Sequence, residues 1–174
     1  AGVGLAYAGR PKGSQYVGVC GGGARLARRG KVSSARWNQL QYFPRSADTT
    51  GDLQVVGEGT TVTVPSEFGR GVAEATTAAW TANAWDRLSA GEVLAFGAVQ
   101  LDREGISEKK GAVVPYAELA QIAVAKPRKE GLHTYFYGRD GRQLIDVVAG
   151  QIANPDALRY LLGQYCGVTL PPTF

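Results

Sequence analysis

Hydrophobic and polar residues alternate over short stretches through most of the chain, and turn-forming residues separate those stretches. In Thr60–Val64 (TTVTV) the period of two is typical of a half-buried strand. Gly57-Glu58-Gly59 lies between this run and an earlier β-rich run, which predicts a hairpin. The pair Asp140-Gly141 predicts another hairpin, because this dipeptide suits a tight turn. The predicted strands are Gln15–Cys20, Ala24–Ala27, Val32–Trp37, Leu40–Phe43, Leu53–Val56, Thr60–Val64, Val93–Asp102, Ile106–Lys109, Ala112–Pro115, Leu119–Ala125, Leu132–Tyr137 and Gln143–Val148.

Two segments have the pattern of an amphipathic helix. The first is predicted over Ser66–Leu88, where apolar residues recur at steps of three and four. The second is predicted to begin after Asn154 as the N-cap, with Pro155 at the first helical position and Gly167 at its end. The predicted buried stripe of the first helix consists of Phe68, Val72, Ala75, Ala79 and Ala82.

The run from Leu94 to Ile122 repeats the plan of the run from Gly18 to Phe43. After each run come further strand-like residues and then one helix, so the sequence predicts one small α+β unit built twice. We expect an N-terminal segment over residues 1–14, units over 15–91 and 92–166, and a tail over 167–174. The corresponding positions are Trp37 and Tyr116, Leu40 and Leu119, each pair 79 residues apart, and Leu26 and Ile106, 80 residues apart.

The motifs of the second unit resemble those of a known family. LAFGAVQLDREGI, then Tyr116 two residues before Glu118-Leu119, then GQIANPDALRYLL are similar to uncharacterised bacterial proteins with tandem pleckstrin-homology-like repeats. In the first unit Arg36-Trp37-Asn38-Gln39-Leu40 fits the same pattern, with amides where that family has acids. The resemblance implies two tandem pleckstrin-homology-like units in the α+β class. Each would be an antiparallel β meander or partly open barrel, capped by one C-terminal helix.

The residues give no support for catalysis or for a metal site. His133 is the only histidine, and it lies in a predicted strand without a nucleophile or acid to complete a catalytic set. Cys20 and Cys166 lack metal-ligand spacing, and we expect two buried thiols, with a disulfide as the alternative. The acids near Asp102 are typical of a solvated turn. The sequence therefore predicts a protein that is not an enzyme and that needs no cofactor.

Basic turns are the most distinctive polar feature of the chain. The formal net charge is +4 and the pI is near 9.2, which is compatible with an anionic partner but too small to favour nucleic acid. Such turns can also serve only to keep the chain soluble. In a pleckstrin-homology-like barrel, neighbouring turns open at one end and can converge on an anionic headgroup. The candidate anion-binding residues are Arg28, Arg29, Lys31, Lys109, Lys110, Lys126, Arg128 and Lys129.

These features predict a non-enzymatic binding or scaffold module. The expected partner is another protein or a second copy of the chain, reached by strand addition at an exposed sheet edge. The alternative is peripheral binding to an anionic membrane through the basic turns. No apolar run reaches the length that a membrane-spanning helix needs. The expected location is the cytoplasm, with the inner face of the membrane as the site of the alternative function.

Overall fold

The computed structural model describes residues 5–8, 15–44, 52–126 and 131–168. The chain divides into two compact units, Ala1–Trp80 and Thr81–Phe174. The sequence had favoured a boundary between residues 91 and 92. The predicted residues Arg128 and Lys129, the predicted N-terminal segment except for residues 5–8, and most of the predicted tail lie outside the described residues.

The first unit contains two antiparallel sheets followed by a helix. The four-stranded sheet has the order β1-β2-β3-β4, and the three-stranded sheet has the order β5-β6-β7. Trp37–Gln39 forms a turn of 3-10 helix between the two sheets. The elements are β1 (Leu5–Ala8), β2 (Gln15–Cys20), β3 (Gly23–Arg28), β4 (Lys31–Arg36), β5 (Gln41–Pro44), β6 (Leu53–Gly57), β7 (Thr60–Val64) and α1 (Ser66–Thr81).

Alternate residues of these strands form the core of the first unit. Leu26 of β3 lies opposite Val17 of β2, and both side chains are buried. Val55 and Val62 are paired in the same way across β6 and β7 and are also buried. Burial of each aliphatic side chain of this size contributes about 1.5–3 kcal/mol. The period of two seen in Thr60–Val64 therefore becomes a buried face of β7, formed by Thr60, Val62 and Val64.

The predicted helix over Ser66–Leu88 is interrupted. α1 ends at Thr81, and Asn83 adopts a left-handed backbone conformation with φ 54° before the next helix begins. A residue in this conformation cannot continue a right-handed helix. The buried positions of α1 are Gly69, Val72, Thr76 and Trp80, whereas Ala82 of the predicted stripe lies beyond the helix and is exposed.

The second unit has the same order of sheets. A four-stranded antiparallel sheet has the order β11-β10-β9-β8, and a three-stranded one has the order β12-β13-β14. A turn of 3-10 helix over Ala149–Gln151 leads to the last helix. The elements are α2 (Ala84–Ser89), β8 (Leu94–Phe96), β9 (Val99–Leu101), β10 (Gly105–Glu108), β11 (Val114–Pro115), β12 (Leu119–Ala125), β13 (His133–Gly138), β14 (Gln143–Val148) and α3 (Pro155–Cys166).

The strand predicted over Val93–Asp102 is in fact two short strands. Gly97 has φ 70° and turns the chain between β8 and β9. A side chain at Gly97 would overlap the carbonyl of Gln151, which accepts the N–H of Ala98 at 2.9 Å. The N–H of Ala153 donates to the carbonyl of Phe96 at 3.1 Å. This turn therefore joins β8 and β9 to the segment before α3, a long-range contact that a local pattern cannot predict.

The last helix begins and ends as predicted. α3 has Pro155 at its start, and Gly167 ends it with φ 61°. Asn154 precedes the helix in a left-handed conformation with φ 47°, but its side chain does not cap the helix. Leu158, Leu161 and other residues of the apolar face are buried. The mixed α+β class is confirmed, and within the described residues no sheet closes into a barrel. None of the helices described is long and apolar enough to cross a bilayer.

Candidate interaction surfaces

Three of the predicted anion-binding residues lie together in one hairpin of the first unit. We call Arg28-Arg29-Gly30-Lys31, between β3 and β4, the basic hairpin. Arg29 has φ 49° and Gly30 has φ 80°, so the two turn residues have the positive φ of a type I′ turn. Arg28 and Lys31 lie directly opposite each other across the ladder. Like charges in this arrangement destabilise a hairpin, so this cationic cluster costs the fold some stability.

Side chains connect the basic hairpin to the neighbouring hairpin between β6 and β7. Arg28 Nη1 donates to the carbonyl of Thr61 at 3.3 Å, and Ser33 Oγ donates to the carbonyl of Gly57 at 3.2 Å. Glu58 lies in that neighbouring turn. None of the ion pairs found among the described residues joins Glu58 to the basic hairpin. The positive charge of the basic hairpin is therefore open to solvent.

The other predicted basic residues lie in the second unit. Lys109 and Lys110 occupy the turn after β10, and the N–H of Lys109 donates to the carbonyl of Ala98 at 3.1 Å. Lys126 follows β12 and is exposed. Arg128 and Lys129 lie outside the described residues.

Charge is distributed very unevenly along the chain, which the total of +4 conceals. Residues 1–47 contain eight Lys and Arg residues and no Asp or Glu, although the whole chain carries only +4. Residues 48–174 contain the other eleven cations and all fifteen carboxylates, which gives them a net charge of −4. Residues 1–47 therefore carry a net charge of +8, and the rest of the chain is acidic. A count of charge by segment would have found this signal.

The four predicted repeat positions occupy comparable places in the two units. Trp37 opens the 3-10 turn after β4, and Tyr116 opens the turn after β11. Leu40 and Leu119 follow three residues later in each case, and both are fully buried. Trp37 is buried in its unit, whereas Tyr116 is half-buried and its hydroxyl donates to the carbonyl of Asp102 at 2.7 Å. The aromatic side chains at these two positions therefore make different contacts.

Three aromatic rings of the second unit form a surface that the sequence did not reveal. We call Tyr116, Tyr165 and Trp85 the aromatic ladder. The ring of Tyr165 lies 5.7 Å from that of Tyr116 and 5.2 Å from that of Trp85, with interplanar angles of 56° and 53°. Such tilted contacts stabilise aromatic pairs beyond their buried area. Trp85 is nevertheless 53% exposed, so the ladder ends in a large apolar ring in water.

The two tyrosines of the aromatic ladder are partly buried, and an ion pair lies close in sequence to Trp85. Burial is the main reason that the pKa values of the Tyr116 and Tyr165 hydroxyls are raised, so both stay neutral at physiological pH. In α2, which carries Trp85, Arg87 Nε donates to Glu92 Oε2 at 2.8 Å and a second bond joins the same two side chains. This hydrogen bonding lowers the pKa of Glu92. The bidentate pair fixes the chain just beyond α2.

Two further polar side chains, His133 and Asp102, make local contacts in the second unit. His133 Nδ1 lies 2.7 Å from Asp146 Oδ1. Asp102 Oδ1 accepts the N–H groups of Glu104 and Gly105 at 2.7 and 2.9 Å, which makes this acid part of a turn. Among the residues that the structure describes, no three His, Cys, Asp or Glu side chains cluster as metal ligands would.

Both cysteines are free thiols, and their burial differs from the prediction. Cys20 is exposed, and its Sγ donates to the carbonyl of Gly23 at 3.1 Å. Cys166 is half-buried beside the aromatic ladder, and burial raises the pKa of its thiol to about 11. Cys20 was expected to be buried, but it ends β2 at a turn and its side chain faces solvent.

Comparison of the chain with family models, with curated proteins and with solved structures gave no match.

Proposed function

We propose that the chain is a non-enzymatic binding module that associates with a partner protein or with a second copy of itself. The observation that carries this proposal is the exposed ring of Trp85 at the end of the aromatic ladder. Tryptophan and tyrosine are enriched among the residues that dominate binding energy at protein interfaces. A side chain already held by Tyr165 loses little conformational entropy on binding, so more of its contact energy remains as affinity.

Replacement of Trp85 by alanine tests this function. We expect light scattering on the wild type to show concentration-dependent association, or cross-linking in the native lysate to capture a partner. Trp85→Ala should weaken either association at least about tenfold. Val113→Ala is the matched control, because Val113 is an exposed apolar residue outside the aromatic ladder. Equal association of wild type and Trp85→Ala would rule out the aromatic ladder as the contact.

We further propose that each unit is a pleckstrin-homology-like repeat, as the resemblance implied. Two features support this. Each unit contains a four-stranded antiparallel sheet, then a three-stranded one, then a helix. In each unit a buried glycine is the first residue of a strand and lies opposite the last residue of the next strand. Gly23 of β3 lies opposite Arg36 of β4, and Gly105 of β10 lies opposite Pro115 of β11.

This alignment of the two units shifts one predicted correspondence. Ala24 lies opposite Ala35, and Ile106 lies opposite Val114. Ala24, at a distance of 82 residues, is therefore the counterpart of Ile106, whereas the sequence pattern had favoured Leu26. The segment from the glycine to the residue opposite it, Gly23 to Arg36 or Gly105 to Pro115, is three residues shorter in the second unit, and only the ladders make this difference visible.

Binding to an anionic membrane is the second candidate function, and the basic hairpin favours it. Arg28 and Lys31 lie opposite each other in the hairpin, so their positive charges repel, and an anionic surface would reduce this repulsion. Each cation near an acidic leaflet contributes about 1 kcal/mol, and this contribution falls as salt is added. Under either candidate the chain acts in the cytoplasm, and under this one it acts at the inner face of the membrane.

Vesicle co-sedimentation tests the membrane candidate. Vesicles of phosphatidylcholine with increasing phosphatidylserine should bind the wild type increasingly, and the double variant Arg28→Glu, Arg29→Glu should bind at least about tenfold more weakly. The matched control is Arg139→Glu, Arg142→Glu, which changes the net charge equally in an exposed turn of the second unit. Equal losses in both double variants, or binding that ignores salt, would show that the basic hairpin is not the contact.

A further inference from the structure

Strand β4 is an edge of the four-stranded sheet, and part of that edge is open. The turn at Arg29-Gly30 has two residues, so its hydrogen bond joins the carbonyl of Arg28 to the N–H of Lys31. Hydrogen-bonded and non-hydrogen-bonded pairs alternate along an antiparallel ladder. Ala27 with Val32, and Arg25 with Ser34, are therefore non-hydrogen-bonded pairs. The backbone N–H and C=O groups of Val32 and Ser34 point away from β3.

On β7 and at the end of β4, the first unit covers outward-facing backbone groups with its own atoms. Arg28 donates to the carbonyl of Thr61 on β7, and Gln15 Oε1 accepts the N–H of Thr63 at 3.2 Å. At the end of β4, Gln39 Oε1 accepts the N–H of Arg36 at 3.1 Å, and the carbonyl of Arg36 accepts the N–H of Leu40 at 3.2 Å.

Nothing in the described part of the chain covers Val32 and Ser34 in this way. Both residues are exposed, and Val32 shows 48% of its surface to solvent. Their four backbone groups form a short open template for an incoming strand. Lysine and arginine on an edge strand also discourage pairing between identical edges. The side chains beside Val32 and Ser34 therefore determine which strand can pair here.

The side chains along this edge are cationic on both faces. Val32, Ser34 and Arg36 project from one face of the sheet, because alternate residues of a strand point the same way. Lys31 projects from the other face with Ser33 and Ala35. Side chains diagonal to each other across neighbouring strands are close enough to interact. A carboxylate opposite Ser34 would face Arg36, and one opposite Ser33 would face Lys31.

We propose that the edge of β4 binds an extended acidic segment of a partner protein by strand addition. Backbone hydrogen bonds to Val32 and Ser34 supply the pairing, while Arg36 and Lys31 select carboxylates. A second copy fits this edge poorly. β4 against β4 would bring the cations of both copies together, and no residue from 15 to 44 is an acid. This edge belongs to the first unit and the aromatic ladder to the second, so the proposal goes beyond the proposed function.

Fluorescence polarisation with labelled peptides tests the proposal. The probe is a six-residue peptide of alternating Glu and Val, and its charge control alternates Lys and Val. Two further Glu-Val peptides carry N-methyl groups, one on the Glu amides and the other on the Val amides, so each blocks one edge of the bound strand. We expect the Glu-Val peptide to bind, the Lys-Val peptide not to bind, and methylation of one edge only to weaken binding at least about tenfold.

Two variants of the chain complete the test. Ser34→Pro removes an N–H that faces away from β3, which an edge strand tolerates, and it should abolish peptide binding. Ser34→Ala keeps that N–H and should bind as the wild type does. Trp85→Ala should also bind the peptide normally, and Ser34→Pro should leave vesicle binding and Trp85-dependent association unchanged.

The N-methylated peptides decide the question even if Ser34→Pro fails to fold. Equal binding of both methylated peptides and the parent would reduce the interaction to simple charge attraction and overturn the proposal. So would binding of the Lys-Val peptide, or no binding of the Glu-Val peptide at millimolar concentration.

Discussion

Gly23→Ala and Gly105→Ala are each expected to destabilise their own unit by about 3 kcal/mol, the upper range for inserting one group into a packed interior. Both glycines are buried at the first position of a strand, β3 and β10. A methyl group at Gly23 would overlap the carbonyl of Ala35 and lie 2.9 Å from Cα of Arg36. At Gly105 it would overlap the carbonyl of Val114. The obstacle in both cases is backbone, so no side chain can rotate away.

Urea denaturation measures this effect, with Gly22→Ala and Gly131→Ala as matched controls. Gly22 neighbours Gly23 but is exposed, and a methyl group added there would have nothing within 4 Å, while one at Gly131 would make only an ordinary contact at 3.9 Å. The controls should shift stability by less than about 0.5 kcal/mol. Fluorescence of Trp37 and Trp80 reports on the first unit, and amide hydrogen exchange reports on the second. If Gly23→Ala lost no more stability than Gly22→Ala, this result would contradict the close approach of β3 and β4.

In each unit the close approach occurs opposite the last residue of a strand, β4 or β11, and this bears on the proposed duplication. In each unit the residue opposite the glycine immediately precedes an aromatic residue, Trp37 or Tyr116. A backbone contact that excludes any side chain is a demanding feature to find twice by chance. If both alanine variants lose similar stability, the two units share a packing rule as well as an order of strands.

The local pattern predicted most strands and the last helix, and it missed two breaks, one at Asn83 and one at Gly97. β12, at Leu119–Ala125, and β14, at Gln143–Val148, have the bounds that alternation and turn residues predicted. The break at Asn83 was missed because the alanine-rich sequence around it favours helix. The turn at Gly97 was missed because its partner, Gln151, is far away in sequence.

Of the two candidate surfaces, one could be predicted from the sequence and the other could not. The basic hairpin was predictable, since neighbours in sequence become neighbours across a two-residue turn. The aromatic ladder was not, because Trp85, Tyr116 and Tyr165 come from a helix, a turn and another helix of the second unit. Hydrophobic periodicity shows which residues of one element share a face, but it does not show which elements come together. The structure also separates two tryptophans that lie five residues apart in the sequence: Trp80 is buried and Trp85 is exposed.

That separation leads to the second large effect, which concerns Trp80. Its indole Nε1 donates to the carbonyl of Leu40 at 3.0 Å in a buried environment, and so ties the end of α1 to the residue that leads into β5. Trp80→Phe should cost about 2 kcal/mol, because it removes a buried hydrogen bond and part of the packing. Trp80→Ala should cost about 3–5 kcal/mol, because it also leaves a cavity.

Trp85→Phe and Trp85→Ala are the matched controls, because they make the same chemical change five residues later on an exposed side chain. They should shift stability by less than about 1 kcal/mol in urea denaturation followed by circular dichroism. Trp80→Phe should reduce stability more than Trp85→Ala does. Trp80→Phe leaves the buried carbonyl of Leu40 without its donor, whereas Trp85→Ala leaves no buried polar group without a partner. Equal costs at the two positions would mean that the bond to Leu40 does not hold α1 on its unit. The function of Trp85 could then not be separated from folding, whereas the expected difference leaves Trp85 available for binding.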